Sequence, residues 1–206
     1  MNHRTEETAK ANPLLVVISG PSGVGKDAVV AELRQRHSNV FFAVTATTRP
    51  KRPGEVDGVD YVFLTQDEFQ ALLDQDGFLE HAEVYGRRYG VPKQPIREAL
   101  EQGRDVIVKM DVQGAATIRS LAPDALLVFL SAPDMEELER RLRQRKTETP
   151  EQMALRIETA RYELGQAHWF DCVIVNETDA VEQTVARILQ AMEEARGSVP
   201  PRRIRL

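Results

Sequence analysis

Five short stretches of the chain are apolar at almost every position: 14–19, 40–45, 105–111, 125–130 and 172–175. A strand with one face in solvent alternates apolar and polar residues, whereas these are near-continuous and rich in Val, Ile and Leu. They read as strands covered on both faces, the condition of a parallel sheet. Between them, apolar residues recur at helical spacing. Val29, Val30 and Leu33 follow the first run, and Ile96, Ala99 and Leu100 precede the third. Met153, Ile157, Ala160, Leu164 and Ala167 make a longer stripe before the last run; Val181, Val185, Ile188, Leu189 and Met192 follow it. Strands alternating with helices predict a doubly wound α/β fold, a five-stranded parallel sheet with helices on both faces. The stripes themselves are core.

Residues 46–92 break this rhythm with Pro50, Pro53, Gly54, Gly58, Gly77, Gly86 and Gly90 and with short alternating segments. They predict a small antiparallel subdomain inserted in the core, with one helix over 66–76 that turns Phe69, Leu72 and Leu73 inward. A second irregular piece, about 145–151, separates two charged helices and reads as a short lid. The organisation expected is one domain over 13–196, with core segments 13–45 and 93–196 and flexible tails at 1–12 and 197–206.

Composition agrees with a single unit: 206 residues, 42% of them hydrophobic, suffice for one α/β core. A net charge of −5 gives no global sign of nucleic-acid binding. Arginines nevertheless cluster at 49–52, 87–88 and 140–145, where they could hold phosphate. Cys172 is the only cysteine, so no intramolecular disulfide forms, and its apolar setting suggests an inert thiol. The first twelve residues lack an apolar signal core, and no stretch approaches the ~18 residues that span a bilayer. A soluble, cytoplasmic protein is expected, without membrane or nucleic-acid partners. Monomer and homo-oligomer are both open.

Candidate chemistry begins right after the first strand. Gly20-Pro21-Ser22-Gly23-Val24-Gly25-Lys26 has the spacing of a phosphate-binding P-loop between a strand and a helix. Glycines let backbone N–H groups turn inward around phosphate oxygens, Lys26 reaches the β- and γ-phosphates, and the helix N-terminus adds partial positive charge. The next position usually carries Ser or Thr, whose hydroxyl ligates Mg²⁺; here it is Asp27. Two readings stand: Asp27 caps the helix, or its carboxylate holds the metal.

The second candidate is Thr45-Ala46-Thr47-Thr48-Arg49-Pro50-Lys51-Arg52-Pro53-Gly54-Glu55. Arg49 and Arg52 each precede a proline, which biases both toward extended backbone. Two guanidiniums on a stiff loop suit a dianionic phosphate; a solvated basic loop is the plainer alternative. Tyr61 and Tyr89 offer hydroxyls, and Glu80 is a lone carboxylate in an apolar segment.

Together with Gly58-Val59-Asp60-Tyr61-Val62-Phe63, Gly77-Phe78-Leu79-Glu80, Asp111-Val112-Gln113-Gly114 and Val173-Ile174-Val175-Asn176, these motifs resemble the guanylate kinase family in order and spacing. The likeness runs from about residue 14 to 192. Gly-Val-Gly-Lys-Asp and Val91-Pro92-Lys93-Gln94 resemble its organelle-type branch in detail. The resemblance implies transfer of the ATP γ-phosphoryl group to GMP, and also dGMP, with Mg²⁺ as cofactor. It implies ATP binding by Gly20 to Asp27 and Asn176, and catalysis by Lys26, Arg141, Arg145 and Arg156. It assigns the GMP phosphate to Arg49, Arg52, Tyr61 and Tyr89, and the guanine to Glu80, Thr45 and Asp111. Arg140 and Arg143 read as members of i,i+4 pairs (Glu136–Arg140, Glu139–Arg143), each worth about 0.2–0.5 kcal/mol.

Two departures accompany this likeness. Val91 stands where relatives carry a hydroxyl for guanine O6, so Lys93 or Gln94 would have to replace it. Lys109 stands where many relatives have an acid near the metal; strand parity would put it on the face of Asp111. Two rival functions share parts of the pattern, a non-catalytic peptide-binding module of this type and a ribose 1,5-bisphosphate phosphokinase.

Overall fold

The computed structural model describes residues 12–84, 86–144, 149–204 and 206. Its first strand, β1 (Leu15–Ser19), is buried at every position. Its side chains alternate between two cores. Val16 and Ile18 join one cluster, and Leu15 and Val17 join the other. That two-sided burial is why the strand shows no polar alternation. The same division holds for β2 (Val40–Phe42), β7 (Asp105–Lys109) and β8 (Leu126–Ser131), and β9 (Cys172–Val175) completes a parallel sheet of order β2-β7-β1-β8-β9 as an edge strand that packs Cys172 and Ile174 on the first core and leaves Val173 exposed. All of its pairings are parallel, as expected.

Helices α1 (Lys26–Arg36), α5 (Met135–Arg143), α6 (Pro150–Gly165) and α7 (Val181–Arg196) bury apolar residues in the first cluster. Those of α3 (Lys93–Glu101) and α4 (Val112–Leu121) enter the second, on the opposite face. The expected strand over 40–45 is shorter than its apolar run. After Phe42 only Ala43 still donates to β7, through its N–H to Ile107 O at 2.9 Å. The chain then leaves for the insert.

The insert has its own sheet, made of β3 (Ala46–Thr47), β4 (Val62–Phe63), β5 (Phe78–Val84) and β6 (Arg87–Pro92), in the order β4-β3-β6-β5. It is mixed rather than antiparallel, because β3 and β4 pair in parallel. The loop between them makes a full return excursion, which sequence pattern alone does not reveal. Helix α2 (Gln66–Asp74) matches the expected helix and starts with a reciprocal capping box between Thr65 and Glu68. It covers the sheet with Phe69, which stacks on Phe78 at 4.3 Å between ring centroids.

Two further expectations need correction. The segment from 197 onward, expected as a flexible tail, has specific partners. Arg202 Nη1 donates to Ala125 O at 2.8 Å, and Ile204 and Leu206 pack on the second core. Arg140 turns to Glu137, one turn back, rather than to Glu136. Cys172 agrees with the inert reading: burial, then the charge of Asp171, push its thiol up to about 11. Among the described residues no helix is long and apolar enough to cross a membrane. Residues 1–11 and most of the expected lid, including Arg145, lie outside the described residues.

The insert's core is small, built on Ala46, Phe69 and Phe78. Phe69→Ala should therefore destabilise the small sheet by about 3–5 kcal/mol. Amide exchange should accelerate along β5 and β6 and stay unchanged along β1 and β8. Equal acceleration in both sheets would show that the insert does not unfold on its own.

Candidate active site

The chain leaves β1 through Gly20, whose φ is 140°; a Cβ there would meet Leu130 O at 2.2 Å. Only glycine lets the backbone pass so close to β8. Gly25, with φ 100°, is the N-cap of α1, and no side chain caps that helix. Its positive end is thus presented at the loop. Asp27 is not the cap. It lies in the first turn, and its carboxylate pairs with the Lys109 ammonium from β7. Lys109 shares the strand face of Ile107, toward α1, but β7 ends at Lys109, so strand parity does not carry on to Asp111. Lys26 folds back on its own loop, donating to Gly20 O and, at 3.0 Å, to Pro21 O. Burial holds its pKa below the ordinary lysine range, against the fields of Glu163, Asp27 and Asp111.

The loop is braced from behind. Asn176 is buried; its Nδ2 donates to Val24 O at 2.8 Å and its Oδ1 accepts from Thr184 Oγ1 at 2.8 Å. With both ends of its amide engaged, it supports the loop from behind. Arg141 behaves similarly. It donates to Glu137 at 2.7 Å, Val24 O at 3.3 Å, Asn176 O at 3.0 Å and Thr178 Oγ1 at 3.1 Å. That leaves a single N–H of its five, so Arg141 braces the loop. Arg140, Thr178 and Arg141 together hold the Glu137 carboxyl well below the usual carboxylate range. Helix α6 grips the loop's front at Ser22. Arg156 Nη2 donates to Ser22 Oγ at 2.8 Å, and the Ser22 N–H donates to Glu163 Oε2 at 3.1 Å.

Across the cleft, Thr47 and Thr48 pin the arginine loop to β6. Thr47 Oγ1 donates to Arg88 O at 3.0 Å and accepts from Arg49 N at 3.1 Å, while Thr48 Oγ1 accepts from Arg88 N at 3.0 Å. Arg49 then lies over the Tyr61 ring, 5.2 Å from its centroid, and Tyr61 meets Tyr89 edge-on at 6.2 Å. So three of the four expected phosphate ligands come together. Arg49 forks onto Glu55, at 2.7 and 3.1 Å, and Glu55 also accepts from the Arg52 N–H at 2.7 Å. The Arg52 side chain is exposed. Thr45 lines a cleft with Tyr61, Asp60, Arg34 and Lys109, which joins the acceptor side to the phosphate-loop side.

Glu80 lies opposite Val91 in the ladder and so shares its side of the sheet, next to a register irregularity. Phe78 pairs with Pro92 and Glu80 with Val91, so β5 carries one extra residue there. A bulge puts both of its residues on the side of the single residue opposite. Leu79 and Val91 are buried in the second core, and Glu80 follows them inward. Burial, then the charge of Asp111, push its carboxyl up to about 6. Asp111 itself caps α4, accepting from Gly114 N at 2.8 Å. Val91 is apolar wall. Of the two suggested substitutes, Lys93 is paired with Asp76 at 2.6 Å and Gln94 donates to Glu98 at 2.9 Å.

Sequence reasoning passed over Glu55, Glu163 and the bonding of Thr47 and Thr48. Glu163 had a signal, because it follows the stripe residue Ala160 by three and so shares its buried face.

With this geometry in view, comparison with known proteins is direct. The sequence profile of the guanylate kinase family matches residues 12–195. "Guanylate kinase 2, chloroplastic/mitochondrial" of Oryza sativa subsp. japonica is 43% identical over 94% of this chain and 68% of its own length. The guanylate kinase of Nocardia farcinica is 49% identical over 88% of this chain and 95% of its own. Identity thus does not set an organelle relative apart from a bacterial one. A crystal structure of guanylate kinase from Anaplasma phagocytophilum superposes with a TM-score of 0.72 at 30% identity, covering 91% of this chain and 88% of that one. Sequence and fold agree over nearly the whole length, and the chain belongs to the guanylate kinase family.

Proposed function

We propose that the two sides of this cleft hold the two substrates of ATP:GMP phosphotransfer, ATP at the phosphate loop and GMP at the small sheet, with Glu80 selecting guanine. The observation that carries the reading is the state of Glu80. It is half-buried, and among the described residues it has no hydrogen-bond or ion-pair partner. A carboxylate in that setting is unfavourable until donors reach it. Guanine brings two adjacent donors, N1–H and the 2-amino group; adenine brings none there. Thr45 and Asp111 flank the base, and Arg49, Arg52, Tyr61 and Tyr89 take the acceptor phosphate. No residue is assigned to the ribose 2′ position, which supports dGMP as a second acceptor.

Lys26 turns from its own carbonyls to the ATP phosphates, and the uncapped start of α1 supports the same charge. Arg156 lies beside the loop at Ser22, and the resemblance adds Arg145 to the cations that meet the phosphates. The bond from the γ-phosphorus to the β–γ bridging oxygen breaks as one forms to a GMP phosphate oxygen, giving ADP and GDP. No protein nucleophile takes part. Closure of the insert and the 145–151 segment would keep water from the transferring group.

Among the described residues no three carboxylate, imidazole or thiol groups gather into a metal cage. Asp27, with its side chain 75% exposed, offers one hard oxygen donor beside the loop. That fits Mg²⁺, which takes one or two protein carboxylates and completes its shell with phosphate and water. Bound there with ATP, Mg²⁺ would neutralise β- and γ-phosphate charge. Lys109 would keep Asp27 oriented and add positive charge of its own.

Glu80→Gln keeps the volume but sets a donor NH₂ against guanine's donors. It should lower kcat/KM for GMP by about 2–4 kcal/mol, with AMP gaining relative to GMP. An unchanged value for GMP would remove Glu80 from base reading. The pH dependence has a definite sign. Protonation removes the acceptor, so kcat/KM for GMP should fall as pH drops through about 6. In Glu80→Gln that component should vanish, leaving the ionisation of the nucleotide phosphate itself, whose second pKa is also about 6.

The Asp27–Lys109 pair calls for a double-mutant cycle of Asp27→Ser, Lys109→Asp and both together, assayed across Mg²⁺ concentrations. Each single change should be severe and the double should recover much of the activity. Losses that add within about 0.5 kcal/mol would mean the two act independently.

A further inference from the structure

Glu163 is a buried carboxylate, 8% exposed, for which the phosphotransfer just described has no use. Its one hydrogen bond among the described residues is accepted from the Ser22 N–H, at 3.1 Å, inside the phosphate loop. Two turns earlier on α6, Arg156 holds the hydroxyl of the same serine. The helix thus grips the third residue of the loop by backbone and side chain together. Burial raises the Glu163 carboxyl above the ordinary range, and Lys26 is the one cation acting against that. The charged groups that share the field of Lys26 are Glu163, Asp27, Lys109 and Asp111.

We infer that Glu163 is a positioning residue that acts as a resident anion of the phosphate loop. It holds the Ser22 amide and keeps the loop in shape, and it places a negative charge where nucleotide phosphates must come. An incoming phosphate competes with it for that amide and for the field of Lys26. The loop is therefore preorganised at some loss of nucleotide affinity, and the same repulsion favours departure of ADP. A buried carboxylate kept only as a hydrogen-bond acceptor would be replaceable by an amide, which accepts from Ser22 equally well and carries no charge. Charge is what separates the two roles.

This inference rests on the phosphate loop being the ATP site, and the experiment keeps the two apart. ADP binding is titrated directly, with and without Mg²⁺, on the full chain, on Glu163→Gln and on Glu163→Ala. Glu163→Gln keeps shape and acceptor while removing the charge, and should bind ADP about three- to tenfold more tightly. KM for ATP should fall with it and kcat should not rise. Glu163→Ala loses the Ser22 anchor as well, and amide exchange at residues 20–26 should quicken in it but not in Glu163→Gln. Unchanged or weaker ADP binding by Glu163→Gln, with its melting temperature retained, overturns the inference and leaves Glu163 a plain acceptor. Lys26→Ala is the control for the site. If the parent chain binds ADP no better than Lys26→Ala does, the assignment of the ATP site fails, whatever Glu163 does.

Discussion

A phosphate loop must keep backbone N–H groups turned toward an anion that is not yet there, and the surrounding structure answers to that requirement. No side chain caps α1, so the usual means of fixing a helix start is given up. The loop is steadied instead from outside its concave face. Asn176 and Arg141 hold the Val24 carbonyl, Leu130 O lies against Gly20, and Lys26 lies on the carbonyls of Gly20 and Pro21. Strand β1 can anchor all of this because it is buried on both faces and cannot shift without disturbing two cores. The order of the sheet, with β1 at its centre, is thus part of the chemistry.

The acceptor half is organised differently. Two of its four strands have only two residues each, its own core is only three buried residues, and its loop is held by threonines and aspartates bonding to backbone. Arg49 meets a carboxylate in a geometry that a phosphate could also use, and Glu55 is the carboxylate that does so in the protein alone. Both halves therefore keep acidic groups beside the cations expected to meet phosphate. A ligand-free site rich in Arg and Lys would otherwise repel itself.

Much of this was legible in the chain. The five apolar runs became the five parallel strands, four of them because burial on both faces leaves a signature local in sequence; the fifth, at the sheet edge, stays apolar although Val173 is exposed. The phosphate loop and the arginine loop were legible because glycine and proline constrain the backbone wherever they stand. What escaped notice depends on pairing between distant segments. The parallel match of β3 with β4 joins residues on either side of a long loop, and neither two-residue strand announces itself. Arg141 was expected at the phosphates because its type suits them, yet its neighbours Val24, Asn176 and Thr178 engage it first. Glu163 was hidden by its company, since a glutamate in a charged helix resembles a solvated one until the helix is docked.

The irregularity at Leu79 has a consequence of another kind. Glu80 faces inward because it lies opposite Val91, while the extra residue of β5 brings Leu79 to that same side. Deleting a single residue between Gly77 and Glu80 would leave the composition almost unchanged and Glu80 still opposite Val91, yet it would leave one inward side chain where there are now two. The surroundings of the base-reading group are thus set by a count of residues as much as by their kinds. Point substitution does not explore that variable, whereas the insertions and deletions by which sequences drift apart do.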